Sequence, residues 1–295
     1  MSIPVYALYG EAEGGKLPAG VHAETISSRS SHLDWRIAPH RHSHLFQALL
    51  VAEGHAMATA EGRRIPLPAP ALAWVPPLVV HAYDFAPGTV GTVVSVPANL
   101  LRSGLALAPA VLQRLGAFRS VVGDLPAEEW QEARFLCATL LRDYQTVAAG
   151  REASLCARAA LLALWVHRRT NPRGEDGRED DTPSLVPIVR RFLDAVEGGF
   201  GTARSLADYA REAGVSASHL ARACRSVTGR SPSRLVQDRR LIEAKRLLAY
   251  TALPVAQVAY RLGFEDAAYF SRFFKARVGA SPLSFRRIAD GTPQE

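Results

Sequence analysis

Two stretches in the last third of the chain repeat each other, and this leaves few folds open to that region. LADYAREAG at 206–214 lies over VAQVAYRLG at 255–263 with an offset of 49, pairing Ala210 with Ala259 and Gly214 with Gly263. After one inserted residue the offset is 50. Arg222 then meets Arg272, Gly229 meets Gly279, and Ser231-Pro232 meets Ser281-Pro282. Two copies are too few for a solenoid, but they suit two small helical units. Each copy reads as helix, turn, helix. A glycine free of Cβ strain ends the first helix, and Ser216, or Glu265 or Asp266, starts the second. In the first copy Leu220, Cys224 and Val227 fall on one helical face and Ser218, Arg222 and Arg225 on the opposite one. In the second, Phe270, Phe274 and Val278 form the inward stripe and leave Tyr269, Arg272 and Lys275 outward. The helix expected between the copies, 233–250, carries an apolar line of Leu235, Leu241, Ala244 and Leu248 that should pack on both.

Charge supports the same region as a nucleic-acid module. The chain has a net charge of +7. Residues 184–295 hold 18 of the 35 Lys and Arg but only 10 of the 28 Asp and Glu, so the whole positive excess lies there. Such asymmetry is the footprint of phosphate neutralisation. Arg222 and Arg272 are expected at base edges, where a bidentate arginine recognises guanine. Arg225 and Lys275 are expected at phosphates. Ser218, His219, Ala268 and Tyr269 complete the expected contact set for double-stranded DNA.

These residues resemble the AraC/XylS family of transcription regulators. The most specific match is the block A-Y-R-L-G-F-x-D-x-x-Y-F-S-R-x-F-K at 259–275, continued by G-x-S-P-x-x-F-R at 279–286. The resemblance implies two helix-turn-helix units joined by a long helix and reading successive major-groove faces. In that family the positions of Ser218 and Ala221 can hold larger or more polar reading residues. The small side chains here shift the first unit's expected readout onto Arg222.

The N-terminal part reads differently. Apolar runs at 45–52, 56–60, 71–75, 79–85 and 91–96 are separated by turn residues, with hairpin corners at Glu53-Gly54 and Glu61-Gly62. A small cupin-like β-barrel is expected over 1–108. Residues 109–169 turn helical, with one helix opened by Pro126 and its acids and a second over 152–168, and are expected to hold a homodimer. The acidic, Pro- and Gly-containing stretch 170–184 reads as a linker, and 185–290 as the DNA-binding domain. The fold class is thus multidomain α and β.

The densest chemical cluster is His40-Arg41-His42-Ser43-His44-Leu45-Phe46-Gln47, with His81 further on. Its spacing resembles the metal motif of cupin barrels, but Gln47, a poor ligand, replaces the glutamate of the catalytic members. Three imidazoles can hold Zn²⁺ or Fe²⁺. The reading adopted is instead an effector pocket, with no metal or cofactor assigned. His40, His42 and His44 are expected on one strand face. The opening IPVYALYGE and the stretch 21–51 resemble AraC-type activators of aromatic-acid catabolism, especially the 4-hydroxybenzoate regulators and their 4-hydroxyphenylacetate relatives. The resemblance implies a small aromatic acid held by Arg36, His40, His42, His44, Gln47 and His81, between walls that include Trp74 and Tyr83. A metal-dependent cupin enzyme with a DNA-binding appendage, and a family member with another effector or none, are the alternatives.

Three cysteines without a CxxC pair, no long apolar run and no signal-like N-terminus give the expectation of a cytoplasmic, non-membrane protein without disulfides. RNA polymerase is the further partner expected of a transcription activator.

Overall fold

The computed structural model describes residues 20–170, 185–202 and 204–289. The described residues divide into two compact units, one of residues 20–170 and one of the residues from 185 on. Of the expected linker, only Thr170 lies among the described residues.

The first unit is built on two antiparallel sheets. Its elements begin with β1 (His22–Thr25), α1 (Ile26–Ser30), β2 (Arg36–His40), β3 (Leu45–Glu53), β4 (His55–Ala60) and β5 (Arg63–Pro68). They continue with β6 (Ala71–Val75), β7 (His81–Phe85), β8 (Val90–Pro97), α2 (Ala98–Gly104), α3 (Pro109–Arg114), β9 (Arg119–Val122), α4 (Ala127–Gln145) and α5 (Arg151–Thr170). One sheet has the order β1-β8-β3-β6-β9 and the other β2-β7-β4-β5. Among the described residues no ladder joins the edge strands of the two sheets, so the expected cupin-like barrel is an open, two-sheet structure. The β4–β5 hairpin turns at Glu61 and Gly62, both at positive φ, which matches the right-handed twist of the strands it joins.

Both faces of the larger sheet are covered. On β3, Leu49 and Val51 point between the sheets, where they meet Ile37, Ala58, Leu67, Tyr83 and Phe85. Phe46, Ala48 and Leu50 point the other way, onto Trp130, Leu140, Leu155, Leu162 and Trp165 of α4 and α5. Residues 109–169 are thus not a separate helical segment. They share a core with the sheet, and they contribute β9, which pairs with β6 from Ala71↔Val122 to Trp74↔Arg119. The buried indoles of Trp130 and Trp165 donate to Gly123 O and Glu129 O, so their burial leaves no N–H unmet.

The second unit comprises α6 (Val186–Gly199), α7 (Leu206–Glu212), α8 (Ala217–Thr228), α9 (Pro232–Tyr250), α10 (Val255–Arg261), α11 (Ala267–Val278) and α12 (Pro282–Ala289). Its repeat is explained by helix ends. Gly214 and Gly263 adopt φ of 74° and 76° just after α7 and α10. Gly229 and Gly279 do the same after α8 and α11, at 72° and 82°. Ser231 and Ser281 then accept from the backbone N–H of Arg234 and Ser284, with Pro232 and Pro282 in the first helical position. In α9, Leu235, Leu241, Ala244 and Leu248 are all buried. Among the described residues no helix is long and apolar enough to cross a membrane, and all three cysteines are free thiols.

Candidate functional site

In the second unit, α8 is capped by Ser216, whose hydroxyl accepts from His219 N at 3.2 Å. Leu220, Ala223, Cys224 and Val227 are buried, leaving Ser218, Arg222 and Arg225 exposed and His219 half-buried. Helix α11 is capped by Asp266, which accepts from Ala268 N and Tyr269 N at 2.9 Å each. These bonds and the nearby Arg272 hold its carboxyl below the usual range. Phe270 and Phe274 are fully buried, Val278 is half-buried, and Ala268, Tyr269, Arg272 and Lys275 face solvent. All eight residues expected at DNA therefore lie on these two capped helices.

These cations differ from those of α9 in their lack of internal work. On α9, Arg239 binds Glu197 and Glu243, Arg246 binds Glu243, and Arg240 donates to Phe200 O and Thr202 O. Asp238 gathers Arg230 at 2.6 Å, Arg234 at 3.0 Å and Arg277 at 3.2 Å. Among the described residues, by contrast, Arg222, Arg225 and Lys275 meet no carboxylate. Arg272 has only Asp266 at 3.9 Å, with both groups exposed, a pairing worth little in water. The outward faces of α8 and α11 thus carry charge available to an anionic partner.

In the first unit, β2 and β7 pair so that His40 lies opposite His81. His42 follows in the connection to β3, where its carbonyl accepts from Leu78 N at 2.8 Å. The three rings converge, with centroids 4.2 Å apart for His40–His81, 5.0 Å for His40–His42 and 5.4 Å for His42–His81. All three are buried. The Nδ1 atoms of His40 and His81 lie 2.9 and 3.0 Å from Ala38 O and Val79 O. A carbonyl only accepts, so each Nδ1 carries the hydrogen and each neutral ring turns its Nε2 lone pair inward. Burial pushes the His81 imidazole down to about 4 and lowers that of His40 as well, which keeps both neutral near pH 7. Tyr83 lies 5.8 Å from His81, and burial raises its phenol. Neither its hydroxyl nor His81 Nε2 has a hydrogen-bond partner among the described residues. An orphaned buried polar atom costs about 1–3 kcal/mol.

The other expected effector residues are placed elsewhere or differently. Strand β2 ends at His40, so residues 41–44 do not alternate as a strand. His44 bonds Ser43 Oγ at 3.0 Å and stands outside the convergent three. Gln47 is buried in the larger sheet and donates to Ser95 Oγ at 3.4 Å. Arg36 is 76% exposed and paired with Asp84 at 3.0 Å. Trp74 sits on the helix-covered face beside Phe46, its Nε1–H donated to Leu115 O at 3.2 Å. Burial is the main cause of the shifts at His40, His81 and Tyr83, and the charge of Arg29 of α1, itself buried and bound to Glu24, adds a smaller lowering at the two imidazoles and a small offset at the phenol. The setting of Arg29 in SSRSS offers no pattern from which to find it.

Two family profiles match the chain. One, described as "AraC-like ligand binding domain", covers residues 26–165, and one described as "Helix-turn-helix domain" covers residues 209–288. The arabinose operon regulatory protein of Salmonella typhimurium is 41% identical over 81 residues, 28% of this chain and 29% of that protein. The HTH-type transcriptional activator AarP of Providencia stuartii is 32% identical over 99 residues, 34% of this chain and 73% of that protein. The HTH-type transcriptional regulator Rv1931c of Mycobacterium tuberculosis is 30% identical over 154 residues, 42% of this chain and 60% of that protein. The chain therefore spans less than a third of the arabinose regulator it matches and under two thirds of the mycobacterial one.

Proposed function

The chain belongs to the AraC family of regulators, and from that premise we propose that it binds specific duplex DNA and activates transcription in response to a small aromatic acid. The observation that carries the DNA reading is the pair of capped helices, α8 and α11, whose outward cations have no strong internal partner while those of α9 are bound within the protein. In this reading Arg222 and Arg272 donate to guanine edges, and Arg225 and Lys275 to phosphates. Ser218, His219, Ala268 and Tyr269 line the same two faces.

The effector reading rests on His40, His42 and His81, with Tyr83 beside them. These groups form a dry polar site, and Arg29 supplies the buried cation that Arg36 does not. An aromatic carboxylate such as 4-hydroxybenzoate is the class of ligand favoured by the resemblance of the N-terminal stretch. Its acid group meets the Tyr83 hydroxyl and the Arg29 guanidinium, and its ring the apolar wall between the sheets. To change the DNA-bound state, this ligand must bind the activating arrangement more tightly than the resting one. A homodimer through α4 and α5 is supported by Phe135 and Leu161, which are 62% and 52% exposed. The protein is assigned to the cytoplasm, with RNA polymerase as its partner at the promoter. An enzyme reading is not favoured: the relatives are regulators, and the cluster lacks the glutamate that resembling catalytic members use.

Footprinting on the upstream region of the protein's own gene neighbourhood, with and without 4-hydroxybenzoate, tests the whole reading. A footprint whose extent or affinity changes with the acid supports it. If a panel of aromatic acids changes neither footprint nor transcription, the effector claim fails. If no protected sequence is found at all, the DNA claim fails with it.

A further inference from the structure

We propose that His40, His42 and His81 form a three-imidazole site for a divalent transition metal of the Zn²⁺ class, with its fourth position open to an anionic ligand. This deepens the effector reading above and rests on it only for the identity of that anion.

Three observations carry the site. The candidate ligand nitrogens lie within 4.8 Å of one another, and no other such group of three occurs among the described residues. A tetrahedral ion with Zn–N bonds of about 2.0–2.1 Å holds its nitrogens about 3.4 Å apart, so ring shifts of roughly 0.8 Å or less close the site. Second, the backbone oxygens of Ala38 and Val79 fix His40 and His81 in the tautomer that directs Nε2 at the centre. This is the outer-shell support that metal-bound histidines need, since it sets ring orientation and ligand basicity together. Third, His81 Nε2 is buried with no partner among the described residues, and a metal bond meets that lone pair.

The donor set also predicts what completes it. Three neutral imidazoles leave both charges of the ion uncompensated, and no carboxylate belongs to the set. An anion bound to the metal offsets that charge, and a carboxylate has the required charge and hardness. The chemistry is binding without bond cleavage.

The test is a Co²⁺ titration of full-length, chelator-treated protein, read by visible absorption and by metal stoichiometry, with Zn²⁺ competition. One ion per chain and intense tetrahedral bands are expected. His81→Ala and the milder His42→Gln, each checked for folding by circular dichroism, should lose stoichiometric uptake, whereas His44→Ala should retain it. Wild-type protein that takes up no Co²⁺, folded His42→Gln and His81→Ala proteins that still do, or equal loss in His44→Ala would each overturn the site. Adding 4-hydroxybenzoate should shift the Co²⁺ bands and raise Tm more with metal than without. A spectrum indifferent to every aromatic acid tested would leave the metal site standing and remove the aromatic effector. An equal rise in Tm without metal would keep the effector and remove its coordination to the ion.

Discussion

The two helix-turn-helix units share their punctuation and differ in nearly everything between. Both end their first helix on a left-handed glycine, cap their second with an oxygen side chain and leave through glycine and Ser-Pro. Their interiors diverge. The first packs Tyr209, Leu220 and Cys224 on α6, while the second is an aromatic cluster in which Phe264, Phe270, Phe273, Phe274 and Phe285 meet at centroid distances of 5.1–5.9 Å. Their outward faces diverge too. Ser218 and Ala221 leave Arg222 prominent in the first, whereas Tyr269, Arg272 and Lys275 crowd the second. Helix ends therefore specify the scaffold, and the side chains between them are free to specify different sequences of DNA.

The comparison can be broken at its aromatic end. Phe274→Ala removes a fully buried ring from the second unit and should cost about 3–5 kcal/mol in denaturant unfolding. A loss below about 1 kcal/mol would mean that the cluster is no better packed than the first unit's mixed core. Readout comes next. Arg222→Ala and Arg272→Ala should each weaken binding to the specific site by about 1–3 kcal/mol, with little change on random duplex. Arg222→Ala should be the more damaging, since it has fewer neighbours to share the contact. Equal losses on both DNAs would reassign the arginine concerned to phosphate.

The matched glycines sharpen the contrast further. At Gly214 an added Cβ meets nothing within 4 Å, so Gly214→Ala should cost only the left-handed strain, about 1–2 kcal/mol. At Gly263 the same atom would lie 2.9 Å from Gly201 O and must move backbone, so Gly263→Ala should lower Tm further. Equal shifts would show that the close approach is relieved without cost. The smallest effect expected is for Lys275→Ala, which should reduce the slope of log affinity against log salt by about 1 and leave sequence preference intact.

These contrasts explain what could be read in advance. Helix limits in the second unit follow from local chemistry: Gly214, Ser216 and the spacing of Leu220, Cys224 and Val227 each act over a turn or two. Central strands β3, β4, β6, β7 and β8 were legible as apolar runs. The edge strands β1, β2, β5 and β9 were not, because an edge tolerates polar residues and prolines such as Pro39, Pro66 and Pro68. In the site, the meeting of His40, His42 and His81 was legible from spacing, but the face taken by Trp74 was not. With both sides of β3 and β6 buried, hydrophobicity carries no sign of which side looks between the sheets. Arg36 is exposed and Arg29 buried for a similar reason, since burial of a cation depends on tertiary placement.

The junction at Asp238 has a consequence for the operator. One carboxylate on α9 holds Arg230, which follows α8, and Arg277, in the last turn of α11. The outward faces of α8 and α11 are therefore tied together by the protein's own bonds, and under the proposed DNA reading the second would dock at an effective concentration set by folding rather than by a linker. Each base pair inserted between the two contacted tracts rotates one by about 35° relative to the other. A protein braced in this way should tolerate a change of base more readily than a change of spacing, and Asp238→Ala should narrow that difference.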